Sequence, residues 1–100
     1  MKIWTVRERP QEFSGHANLA DALLAKKDTD GARQEYEVAI RLRPDNPNAH
    51  YNLALTLETL GQFARARQEF EAYLQLAPNA ADADKVRRHL RQVGAGQNKK

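Results

Sequence analysis

Three histidines, His16, His50 and His89, and a single serine, Ser14, are the side chains of this chain best suited to moving a proton or attacking a carbonyl. Their spacing argues against both. A nucleophile needs a base within hydrogen-bond reach, and Ser14 sits where a helix should begin, which reads as an N-cap. No His-x-x-x-His pair places two imidazoles on one helical turn, and no Gly-rich phosphate loop or nucleophile elbow is present. Cysteine is absent, which excludes thiolate catalysis, Cys-ligated metal and a disulfide framework. Asp28 and Asp30 are close in sequence, but they lie in Asp28-Thr29-Asp30-Gly31, a turn in which aspartate serves local backbone bonding. The chain therefore reads as no enzyme, with no cofactor and no metal.

Charge offers a second chemistry. The net charge is +3, and after Asp84 no acid follows while Lys85, Arg87, Arg88, Arg91, Lys99 and Lys100 do. Such an end could touch nucleic acid, but no aromatic side chain interleaves it to stack on bases. The order, acids Asp82 and Asp84 early and arginines late, also complements the dipole of a last helix. A basic nucleic-acid adaptor is the weaker alternative.

The elements that must position these residues repeat. Pro10, Pro44 and Pro78 fall 34 residues apart. Laying 13–46 on 47–80 gives 12 identities in 34 positions, among them His16/His50, Asn18/Asn52, Leu19/Leu53, Ala20/Ala54, Leu23/Leu57, Ala32/Ala66 and Glu35/Glu69. Tyr36 falls on Phe70. Within each unit apolar residues recur at i, i+4, i+7 and i+8, one face of a 3.6-residue period. Asp28–Gly31 and Gly61-Gln62 break the units, and Pro44-Asp45-Asn46-Pro47 separates them, with Asn46 as N-cap and Pro47 at the first helical position. The spacing predicts five helices near 14–27, 30–43, 47–60, 63–76 and 80–93, with Gly94 ending the last.

A 34-residue helix–turn–helix unit with this pattern resembles the tetratricopeptide repeat. Leu53-Ala54, Leu57, Gly61, Phe63, Ala66, Phe70 and Pro78 stand where that family keeps its large, small, turn and aromatic residues. The first unit departs at Lys27 and Thr29, where Gly61 and Phe63 sit in the second, so a less regular first turn is expected. The resemblance implies an all-α, right-handed superhelical solenoid: a leading segment 1–12, repeats at 13–46 and 47–80, a capping helix at 81–94 and a disordered tail at 95–100. Pro10 marks 1–12 as the place of a preceding repeat's second helix, yet Lys2 and Glu8 break the core pattern. Either that remnant is degenerate, or Ile3, Trp4 and Val6 dock on the exposed edge near Leu19, Leu23 and Leu24.

The resemblance also implies the function, a protein–protein interaction module whose first helices line a concave groove for an extended peptide or a partner helix. The matching positions include Asn18 and Asp21 in the first repeat, Tyr51, Asn52, Leu55 and Glu58 in the second, and Lys85 and His89 on the cap. Asn18 and Asn52 form a repeated pair of amides, each offering donor and acceptor. Asp21 and Glu58 would oppose Lys85 and His89, which favours a ligand with basic character near the first repeat. The family's clamp for a terminal carboxylate is not matched, because Ala17 and Asp21 replace its Lys and Asn. Alternatives are an accessory segment of a larger enzyme or of a secretion or assembly machine, and a self-associating scaffold paired through the N-terminal edge. No apolar run reaches membrane-spanning length, and the N-terminus lacks a signal-peptide core, which points to the cytoplasm and away from membranes.

Overall fold

The computed structural model describes residues 10–98 of the backbone and the side chains of 12–92. Trp4 and the rest of 1–9, and with them the expected docking of Ile3, Trp4 and Val6, lie outside the described residues.

Five helices follow one another with no strand among the described residues: α1 (Pro10–Ala25), α2 (Thr29–Leu42), α3 (Pro47–Thr59), α4 (Phe63–Leu76) and α5 (Ala83–Asn98). Helix α1 packs on α2 and α3 on α4 as two hairpins; α2 then meets α3, and α4 meets α5. The ends have local causes. The Asn46 side chain accepts from the Ala49 N–H at 3.1 Å, and Pro47 opens α3 where its missing donor is of no consequence. Asp28 caps α2 through the Gly31 N–H at 3.0 Å. Gln62, the repeat equivalent of Asp28, makes no side-chain cap bond on α4.

Both ends of the helical array differ from expectation. Helix α1 starts at Pro10, so residues 10–12 belong to it and Ser14 is an exposed residue inside it, not its cap. Proline at the first helical position is already an adequate start. Helix α5 begins at Ala83 and continues past Gly94 to Asn98, which removes the expected stop and most of the expected tail. Glycine ends a helix only by turning left-handed; inside one it costs about 1 kcal/mol and no more.

The core is built from small residues where helices cross and aromatics where hairpins meet. Ala20, Ala32, Ala54 and Ala66 are fully buried, as are Tyr36 and Phe70, with Leu53, Leu57, Tyr73 and Val86 around them. Thr56, buried and polar, donates to its own helix at the Asn52 carbonyl, 2.8 Å away. Leu53 lies under α2 and is 2% exposed, whereas Leu19, at the same place in the first unit, is 46% exposed. A repeat buries its own apolar face only when a neighbour stacks on it.

The two hairpin turns are the same turn. Lys27 and Gly61 both adopt positive φ, 67° and 81°. The following N–H reaches back to Leu23 and Leu57 respectively, each at 2.8 Å. The expected irregularity at Lys27 is therefore not found: a non-glycine residue is held left-handed by the same bonds, at a cost of about 1–2 kcal/mol.

This geometry predicts the stability effect of three substitutions. Phe70→Ala should cost about 3–5 kcal/mol in a denaturant melt, the usual loss for an emptied core aromatic. Gly61→Ala should cost about 1–2 kcal/mol although nothing stands within 4 Å of the new Cβ, because the penalty is in the backbone. Lys27→Gly should stabilise by roughly 0.5–1 kcal/mol, the relieved strain less the added freedom of the unfolded glycine.

Candidate functional site

Helices α1, α3 and α5 occupy the first-helix position of successive units. On α3, Tyr51, Leu55 and Glu58 follow at i, i+4 and i+7 and share one strip. On α5, Lys85, Val86 and His89 do the same at i, i+1 and i+4. The two strips face each other across Phe70 of α4. Tyr51, Leu55, Phe70, Lys85, Val86 and His89 line a pocket of about 250 Å³. Its floor is aromatic: the Phe70 ring meets Tyr51 edge-on at 6.0 Å and His89 at 5.2 Å, and Tyr51 leans on Tyr73 at 5.4 Å. Leu55 is 38% exposed at the mouth.

Four of the eight expected residues, Tyr51, Leu55, Lys85 and His89, thus meet in one pocket. Glu58 joins them indirectly, by accepting from His89 Nε2 at 2.9 Å and so tying α3 to α5. Asn18 is exposed on α1 and Asn52 half-buried on α3; neither amide is bonded to another described side chain. Asp21 is exposed on α1, and its carboxylate accepts from the Tyr36 hydroxyl. The acids of the expected groove, Asp21 and Glu58, each therefore have a hydrogen-bond partner within the protein. Asp82 accepts from the Tyr73 hydroxyl, and Asp84 holds Arg87 at 2.6 Å. Lys85 is exposed with no acidic partner among the described residues.

Phe70 is the pocket residue that sequence reasoning placed only between hairpins. A signal for its second role was present. Tyr36 and Asp21 in the first unit become Phe70 and Leu55 in the second. One substitution removes a hydroxyl and the other its acceptor. A hydrogen-bonded pair joins α2 to α1 in the first unit, and an apolar pair lines the pocket in the second.

The other two histidines are fasteners. His16 Nδ1 lies 2.6 Å from Glu35 Oε1, and His50 Nδ1 lies 2.6 Å from Glu69 Oε1, so each hairpin is closed by the same pair. His50 Nε2 also faces the Pro44 carbonyl at 2.7 Å, which ties the inter-unit loop to α3. Neither lines the pocket. Among the described residues no group of three or more His, Asp or Glu side chains is arranged to hold a metal ion.

The tyrosines carry the clearest shifts in acidity. Burial, then the bond and charge of Asp21, push the Tyr36 hydroxyl well above its ordinary value. The Asp82 bond, then burial, push Tyr73 up to about 12. A phenol raised in the folded state keeps its full contribution to stability below the unfolded value near 10 and loses it as pH climbs through about 12. Alkaline unfolding should therefore coincide with tyrosinate absorbance, and Tyr73→Phe should lower stability at neutral pH while flattening its fall between about pH 10 and 12. An unchanged pH dependence in both Tyr73→Phe and Tyr36→Phe would show that neither hydroxyl is linked to folding.

A family model described as the tetratricopeptide repeat matches residues 19–91. No curated protein matches the chain. None of the helices among the described residues is long and apolar enough to cross a membrane.

Proposed function

The chain belongs to the tetratricopeptide repeat family, whose repeats are typically non-catalytic protein–protein interaction modules, and from that premise we propose that it captures an extended peptide along α1, α3 and α5. The observation that carries the reading is the pocket between α3 and α5, an apolar hollow with polar groups at its rim. Its volume, about 250 Å³, is below the range of sites for whole small molecules and suits one bulky side chain of a longer ligand.

Asn18 and Asn52 supply the rest of the track. They occupy the same place on α1 and α3, the first helices of successive hairpins. An extended peptide advances about 3.3 Å per residue, so each amide can meet a different peptide group along it. Each can donate to a carbonyl and accept from an N–H, for about 0.5–1.5 kcal/mol net per bond. These bonds read the peptide backbone; the pocket reads a side chain.

Peptides selected on the intact chain from a random phage-displayed library provide the test. Asn18→Ala combined with Asn52→Ala should weaken their binding at least tenfold and leave the melting temperature nearly unchanged. Retained binding with lowered stability would make both asparagines structural and place recognition on another face.

A further inference from the structure

We propose that the pocket between α3 and α5 is selective for an acidic segment carrying one bulky apolar side chain, with that side chain seated against Leu55 and Tyr51 and its flanking side-chain carboxylates meeting Lys85. The inference rests on the peptide-binding reading above and fixes the chemistry of its ligand. It reverses the polarity that a count of charges along the groove suggests.

The reversal comes from where the acids point. Four carboxylates lie on or just before the groove helices, and each accepts a hydrogen bond from a side chain of the protein, although Asp21, Asp82 and Asp84 stay exposed. Asp21 accepts from Tyr36, Glu58 from His89, Asp82 from Tyr73 and Asp84 from Arg87. The cations are not matched in the same way. From Ala83 to Gln92, α5 carries Lys85, Arg87, Arg88 and Arg91 against Asp84 alone, and Asp84 is already held by Arg87. Lys85, Arg88 and Arg91 are exposed without an acidic partner among the described residues. Lys85 itself stands on the pocket wall. At the pocket wall a basic ligand meets an ammonium group that has no acidic partner among the described residues, whereas an acidic one complements it. Charge complementarity of this kind selects partners and raises association rates.

The apolar half of the requirement comes from the mouth. Phe70 is fully buried and Val86 nearly so, and Leu55 and Tyr51 stand above them with apolar surface still accessible. An aliphatic or aromatic side chain entering there covers that surface. The first unit differs at the matching positions, where Tyr36 donates to the Asp21 carboxylate. The pocket offers room for one anchor.

The experiment follows amide resonances of the nitrogen-labelled full chain during titration with three heptapeptides, acetylated and amidated so that only side-chain charge is read. The probes are Gly-Asp-Glu-Phe-Glu-Asp-Gly, the same peptide with Ala for Phe, and Gly-Lys-Lys-Phe-Lys-Lys-Gly. The acidic Phe peptide should shift Tyr51, Leu55, Val86 and His89 and bind at least tenfold tighter than either control, less so as salt rises. Lys85→Glu should invert the order of the acidic and basic Phe peptides while the circular dichroism spectrum stays the same. Equal or tighter binding of the lysine peptide, shifts confined to other residues, or no shift from the acidic peptide would overturn the proposal. The peptide-binding reading fails separately, if library-selected peptides also leave the resonances of α1, α3 and α5 unmoved.

Discussion

Four alanines, Ala20 against Ala32 and Ala54 against Ala66, set how near the two helices of each hairpin can come, and all four are fully buried. A larger side chain at any of them would push the helices apart, and interiors packed at crystal-like density have no slack to absorb it. Close approach inside a hairpin has a consequence for its outside. With nothing bulky in the seam, the apolar bulk must lie on the faces that meet the next unit, where Tyr36, Leu53 and Phe70 fill the space. A hairpin of this kind is a surface waiting for a neighbour, and the contrast between Leu53 and Leu19 measures what the neighbour does. The polar fasteners follow the same logic. The His16–Glu35 and His50–Glu69 pairs sit at matching places because the backbone beneath them is the same. Glu37 spans units, taking Arg33 at 3.0 Å and Arg65 at 3.1 Å, but such partly exposed pairs each contribute well under about 1 kcal/mol.

Repetition holds the framework and leaves a few positions free to diverge. At the two positions 21/55 and 36/70 the units differ in a coordinated way, carboxylate with phenol in one and leucine with phenylalanine in the other. Either change alone would be unfavourable. A phenol under Leu55 would bury a hydroxyl without a partner, and a carboxylate over Phe70 would face an aromatic floor, both costly when water is excluded. Changed together, they turn a filled joint into an open apolar pocket without disturbing the seam.

Much of this was legible in the sequence because it is local or periodic. The 34-residue spacing, the i, i+4 faces, Asn46 with Pro47 and the five helices all follow from residues near each other in the chain. The polarity of the groove was not legible, because it depends on partners far apart: His89 reaches Glu58 across 31 residues, and Tyr36 reaches Asp21 across 15. Sequence lists Asp21 and Glu58 as acids on the groove face; only the fold shows them satisfied. Lys27 is a different kind of miss. Residue type argued for irregularity there, but the N–H of Asp28 bonded to Leu23 and the cap from Asp28 to Gly31 overrule a local preference worth about 1–2 kcal/mol. At Ser14 and Gly94 a plausible boundary residue lay inside a helix, since caps mark where helices can stop and not where they must.

The geometry also bounds how strongly the groove can hold anything. One buried anchor is worth about 1.5–3 kcal/mol, and two asparagines reading peptide groups add about 0.5–1.5 kcal/mol per bond. With two bonds per amide the gross sum is roughly 3.5–9 kcal/mol, from which the ordering of a flexible peptide must still be subtracted. Even the upper end, before that subtraction, corresponds to a dissociation constant no tighter than about 0.2 μM. The described first helices are short, and the anchor pocket lies between α3 and α5. Tight association through this surface alone would need more track than α1, α3 and α5 supply. Weak and selective capture, strengthened when the ligand and the repeat are each tethered near the other, is the regime in which effective concentration and not contact area sets occupancy. A single pocket with one unmatched lysine suits that regime: discrimination rests on one anchor and one sign of charge, and release stays fast.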